Sequence, residues 1–123
     1  ESKGEAEGKA EVNGVGEAIY SFNHLATVSP QSAVLMAWLG VEKALVKLAA
    51  HHGISNNSRN PSKLSRLLRQ HGKIDRETYS IIEKLRNLRN EAAHSPDMDM
   101  NTGQAIEYKE LVDRLSIKLS PQY

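Results

Sequence analysis

A chain of 123 residues, 39% hydrophobic and 25% charged, is long enough to bury a core and has the balance of an ordinary globular domain. It contains no cysteine, which excludes disulfides and thiolate metal sites and fits a reducing compartment. The net charge of +1 conceals a division: residues 59–94 carry nine Lys/Arg against Asp75, Glu77, Glu83 and Glu91, while the flanking segments are each slightly acidic. The middle third is therefore the part able to attract a polyanion. The longest apolar run, "AVLMAWLGV" (33–41), is far below the roughly 20 residues that cross a bilayer. No secretory signal is visible, and a first residue of Glu rather than Met is consistent with a piece of a longer protein.

In chain order, the small and charged residues 1–14 predict a disordered tail, leaving 15–123 as a single helical domain. Val15, Ile19, Phe22 and Leu25 or Ala26 recur at helical spacing, which predicts a short first helix near 15–27. Ser29 and Pro30 supply an N-cap and an N1 proline for a second helix that runs to about His52 and stops at Gly53. "NP" at 60–61 starts a shorter third helix carrying Leu64, Leu67 and Leu68, which ends before Gly72. Asp75 caps a fourth, with Ile81, Ile82, Leu85, Leu88 and Ala92 on its apolar stripe. That helix must stop near His94, because Pro96 disfavours helical geometry at Ser95. A fifth helix from about Thr102 carries Ala105, Tyr108, Val112, Leu115 and Leu119 at 3-4-3-4 spacing. Nothing alternates with period two, so the predicted class is all-α, an antiparallel bundle of four to five helices.

At about 100° per residue, the apolar side chains of the second helix, from Val34 and Leu35 through Trp38, Leu39, Val41, Leu45, Val46 and Leu48 to Ala49, cover about half its circumference. That width predicts a helix central to the bundle. Glu42 falls inside this arc, where a carboxylate is costly unless paired or hydrogen-bonded. Two roles fit it: a structural pair with an arginine of the fourth helix, or a place in the wall of a cleft.

The end of the fourth helix reads "RNLRNEAAH" (86–94). Arg86, Arg89, Asn90 and His94 fall in one longitudinal sector, with His94 about 140° from Arg89 and the small Ala93 between them. Arginine offers a planar fork of donors suited to phosphate and to a phosphoryl transition state. Histidine moves protons near neutral pH. Together they suffice for metal-independent cleavage of RNA, in which the 2′-hydroxyl attacks its own adjacent phosphate. The same residues also suit the negative end of a helix dipole with no further role. Composition and spacing alone leave both readings open.

"RNEAAH" (89–94) resembles the R-x4-H motif of the HEPN superfamily, with a polar residue directly after the arginine as in its ribonuclease members. The resemblance extends over "SPQSAVLMAWLGVEKAL" (29–45), "HGKIDRETYSIIEKLRNLRNEAAH" (71–94) and "AIEYKELVDRL" (105–115), roughly residues 16–119, and is nearest to bacterial HEPN-like domains often attached to membrane segments. It implies a HEPN-like bundle that forms a homodimer with two motifs facing across a cleft. It also implies action on RNA or a nucleotide, as a metal-independent endoribonuclease of the toxin, defence or RNA-processing type. The alternative within the resemblance is a non-catalytic dimerisation or nucleotide-binding module. By position, Arg89 would bind phosphate, Asn90 would be its polar neighbour and His94 would transfer protons, with Arg86 and Glu42 as auxiliary groups. No cofactor or metal is implied. An antitoxin-type protein partner is, and so is a cytoplasmic location, either free or as the cytoplasmic part of a membrane-anchored protein with no membrane contact from this segment.

Other candidates are weaker. His51 and His52 point about 100° apart and make a poor metal pair. Residues 97–101, "DMDMN", lack the glycine and distal glutamate of a calcium loop and read as a polar connection. Trp38 reads as core.

Overall fold

The computed structural model describes residues 14–54, 60–95 and 97–121, and all regular structure among them is helical. Five helices follow in order: α1 (Gly14–Val28), α2 (Pro30–His51), α3 (Pro61–Gln70), α4 (Arg76–His94) and α5 (Thr102–Leu119). Apart from Gly14, the predicted tail lies outside the described residues.

Local chemistry sets the helix ends. Ser29 caps α2 by accepting from the Ser32 N–H, Asn60 caps α3 through Ser62, and Asp75 caps α4 through Thr78. Helices α2 and α3 end in the same way, with a glycine at positive φ (Gly53 +66°, Gly72 +69°). In each, the next residue's N–H reaches back across the turn, Ile54 to the Ala49 carbonyl at 2.9 Å and Lys73 to the Leu68 carbonyl at 2.8 Å. An L side chain is strained at such φ, so these two positions use the freedom that glycine alone has. At α4 the chain leaves helical geometry at Ser95 (φ −122°, ψ 87°), as the residue before a proline must. Helix α5 opens with a reciprocal box, in which Asn101 accepts from the Gln104 N–H and Gln104 accepts from the Asn101 N–H.

Helix α2 packs against all four other helices and supplies much of the core, with Ala33, Val34, Ala37, Trp38, Val41, Leu45, Leu48 and Ala49 all buried. Its most extensive packing is with α5, and the two run in the same direction, since Gly40 meets Val112 and, further along both, Lys47 lies near Leu119. Gly40 lets Val112 approach closely: a Cβ at Gly40 would lie 3.4 Å from Val112 Cγ1. Further along the same pair, Lys43 and Lys47 share a groove with Ser116 and Leu119. Helix α4 runs opposite to α2, because Gln31 in the first turn of α2 donates to the carbonyls of Ser95 (3.2 Å) and Met98 (3.3 Å) just past the end of α4. In the core, the Tyr108 hydroxyl of α5 donates to the Leu85 carbonyl of α4 at 2.9 Å. Burial pushes that phenol's pKa up, against the opposing influence of the Arg89 charge, so it stays a neutral donor.

The apolar arc predicted for α2 is too wide. Leu39 is 51% exposed and Val46 49%, together with Met36 at 57%. On α4, Leu88 is likewise 39% exposed. Each sits at the edge of its stripe, where the neighbouring helices cover it only in part. The 97–101 connection is less polar in role than its composition predicts, since Met98 and Met100 pack against the core. No described helix is long and apolar enough to cross a membrane.

Candidate functional site

The C-terminal half of α4 faces α2 and the start of α3 across an open, polar cleft of about 330 Å³. Its lining is Trp38 and Glu42 from α2, Asn60 and Ser62 from the start of α3, and Arg86, Arg89 and Asn90 from α4. Four of the five residues singled out in the sequence, Arg86, Arg89, Asn90 and Glu42, thus meet in one place.

The two arginines differ. Arg86 is held by Glu83 one turn earlier, with Nε to Oε2 and Nη2 to Oε1 both at 3.1 Å. That two-pronged bond raises the Arg86 pKa further above its ordinary value, and the guanidinium is fully charged but committed. Arg89 makes no ion pair among the described residues. Its Nη1 donates to the neighbouring Asn90 Oδ1 at 3.3 Å, a neutral acceptor, so its charge is oriented without being neutralised. Glu42 is half-buried in the facing wall and makes no hydrogen bond or ion pair among the described residues. The predicted structural pair between Glu42 and an arginine of α4 is therefore not formed, and the carboxylate lines the cleft instead.

Two further contributors have no place among the site residues that the sequence suggests. The N-terminus of α3 opens onto the cleft at Asn60 and Ser62. Its early amides are satisfied, Ser62 N–H by Asn60 Oδ1 at 3.0 Å and Leu64 N–H by the Asn60 carbonyl at 3.1 Å. It therefore adds the positive end of a helix dipole rather than ligands. Trp38 is 2% exposed and belongs to the core as expected, yet its edge forms part of the cleft floor. The Asn60-Pro61 start signal was readable; that it would be brought beside Arg89 depends on how α3 packs.

His94 does not line the cleft. It lies exposed in the last turn of α4. Arg86, Asn90 and His94 fall at four-residue intervals, however, so they form one ridge rising about 6 Å per step. His94 continues that ridge one step past the cleft wall.

Elsewhere, His51 and His52 stack edge to face with ring centroids 5.0 Å apart. Among the described residues no group of three or more His, Asp or Glu is placed to hold a metal ion. The sequence matches no protein-family model, and comparison with curated proteins and with solved structures gives no significant match.

Proposed function

We propose that this is a HEPN-type domain whose cleft binds an RNA phosphate and supports metal-independent cleavage of the strand. The observation that carries the reading is Arg89, a guanidinium held at the cleft by a neutral amide and left without a carboxylate partner among the described residues. A phosphate there would meet a planar fork of donors, with the α3 dipole adding a favourable field. Glu42, across the cleft and acceptor-only when ionised, is suited to a ribose 2′-hydroxyl, the group that distinguishes RNA from DNA. A strand following the Arg86–Asn90–His94 ridge would bring the next sugar-phosphate linkage toward the imidazole, which would serve in proton transfer.

The exposed position of His94, outside the cleft lining, favours a second reading: a nucleotide- or RNA-binding module without turnover. One experiment separates them. Purified protein is incubated with single-stranded and structured RNAs in EDTA, beside Arg89→Ala and His94→Ala, and binding is titrated against salt. The cleavage reading expects turnover in EDTA that falls at least about a hundredfold in both variants. It also expects Arg89→Ala to lower affinity and flatten the logarithmic salt slope by about one. Binding that depends on Arg89 without any turnover supports the module. Absence of both removes the phosphate assignment.

A further inference from the structure

On the other side of the buried α4 stripe from the cleft lies a groove of opposite character. Helices α4 and α5 each pack on α2 but make little contact with one another, and the Tyr108 hydroxyl bridges them in depth. Since α4 runs against α2 and α5 runs with it, the two walls of the groove are antiparallel. A hollow of about 220 Å³ opens between them, lined by Leu88, Tyr108 and Leu111, with Met98 and Met100 from the connection at one end. Leu88 and Leu111 are left 39% and 43% exposed. The hollow continues past Met98 and Asp99 into a wider one bounded by Glu91, Ser95 and Asp97.

The charge along this groove has one sign. Glu91, Asp97, Asp99 and Glu107 are all exposed, and none forms an ion pair among the described residues. The C-terminal end of α4 adds the negative pole of its dipole at Ser95. Lys84, a turn earlier on α4, and Arg114, a turn later on α5, lie beyond the far end, so the negative charge is concentrated beside the 97–100 connection.

Two antiparallel helices with an apolar gap between them form the seat of a third helix, which would lay its own apolar ridge into the groove. The α5 wall from Gln104 to Leu111 spans about 10 Å, or two turns of such a helix. Methionine is unbranched and adapts to the side chains laid on it. The carboxylates decide which helix fits. They repel nucleic acid, and a two-fold pairing of this face would set carboxylate against carboxylate. The chain's own first residues are no complement either, with Glu1, Glu5, Glu7 and Glu11 against Lys3 and Lys9.

We propose that the α4–α5 groove docks a basic amphipathic helix of a partner protein, its apolar anchors on Leu88, Leu111 and the two methionines and its Lys or Arg side chains on the four carboxylates. The proposal does not depend on what the cleft binds, because the two surfaces lie on opposite sides of the buried α4 stripe.

The probe is a synthetic helix of about 15 residues, with leucines at i, i+4 and i+7 and lysines flanking them. Its controls are a scrambled peptide of the same composition and a peptide with every lysine replaced by glutamate. Amide shifts of the labelled protein are followed as each peptide is added. The basic helix should move the amides of Leu88, Glu91, Met98 to Met100 and Leu111, with an affinity that falls as salt is raised. Neither control should match it. Asp99→Lys with Glu107→Lys, and separately Leu111→Ser, should each weaken binding at least about tenfold. All three positions are exposed, so the variants should keep the wild-type amide spectrum, which the same experiment records. No binding, equal binding of the scrambled peptide, shifts confined to another face, or affinity indifferent to the charge reversals would each overturn the proposal. Movement of the same amides on concentrating the protein alone would assign the groove to a second copy and overturn it too.

Discussion

The two halves of α4 are built to different ends. Its first half serves the fold: Asp75 caps the start, Thr78, Ile82 and Leu85 are buried, and Glu83 holds Arg86 in the next turn. In its last turns the apolar stripe narrows to the buried Ala92, Ala93 and His94 are exposed, and Arg89 faces the cleft with the Asn90 amide as its one hydrogen-bond partner among the described residues. The first half is locally consistent, with capping, burial and ion pairing all favouring the helix. The second half leaves charge unspent, which is the usual mark of a surface kept for a ligand.

Substitutions can break that contrast or sharpen it. The largest effect belongs to Ile82→Ala, which empties a fully buried site and should cost about 2–5 kcal/mol in urea unfolding. A cost comparable to that of a surface change would mean that α4 is not anchored through its first half. A smaller loss is expected from Asp75→Ala, seen as a lower Tm at neutral pH. Hydrogen bonds from Thr78 hold the Asp75 pKa below its ordinary value, so the carboxylate's contribution is full above about pH 4 and fades as pH falls further. The Tm gap between wild type and variant should therefore close on acidification below that point, and a gap independent of pH would show that the carboxylate is not the cap. The smallest change in stability comes from Glu83→Gln, about 0.2–0.5 kcal/mol for a partly exposed i,i+3 pair. Its value lies in the cleft, because it releases Arg86. RNA affinity should rise in a salt titration, and a fall would mean that Glu83 positions Arg86 rather than restraining it.

Most of the fold was legible because its signals are local. Ser29-Pro30, Asn60-Pro61 and Asp75 mark helix starts, while Gly53 and Gly72 mark ends, through bonds that span only a few residues. The Asn101–Gln104 box is an equally local signal for the start of α5, independent of the apolar spacing that follows Thr102. What a single helical projection does not contain is the width of the neighbour. Leu39 and Val46 lie within the half-circle of apolar residues on α2, but the other helices cover only part of that half-circle. The cleft shows the same division. Arg86, Arg89 and Asn90 share a sector of one helix and could be grouped by angle alone. The approach of Glu42, and above all of the α3 N-terminus, depends on packing between residues distant in sequence.

The bonds from Gln31 to the chain just past α4 carry a consequence for local opening. One amide in the first turn of α2 reaches two carbonyls 64 and 67 positions later, so the end of the motif helix is clamped to the start of the central one. Fraying of α4 at His94 therefore requires the loss of long-range bonds as well as its own last turn. Hydrogen exchange at the Ser95 amide, which bonds to the Glu91 carbonyl at 2.9 Å, becomes tied to the opening of α2 rather than to the free end of an isolated helix. The exposed imidazole thus stands on backbone anchored to the first turn of α2.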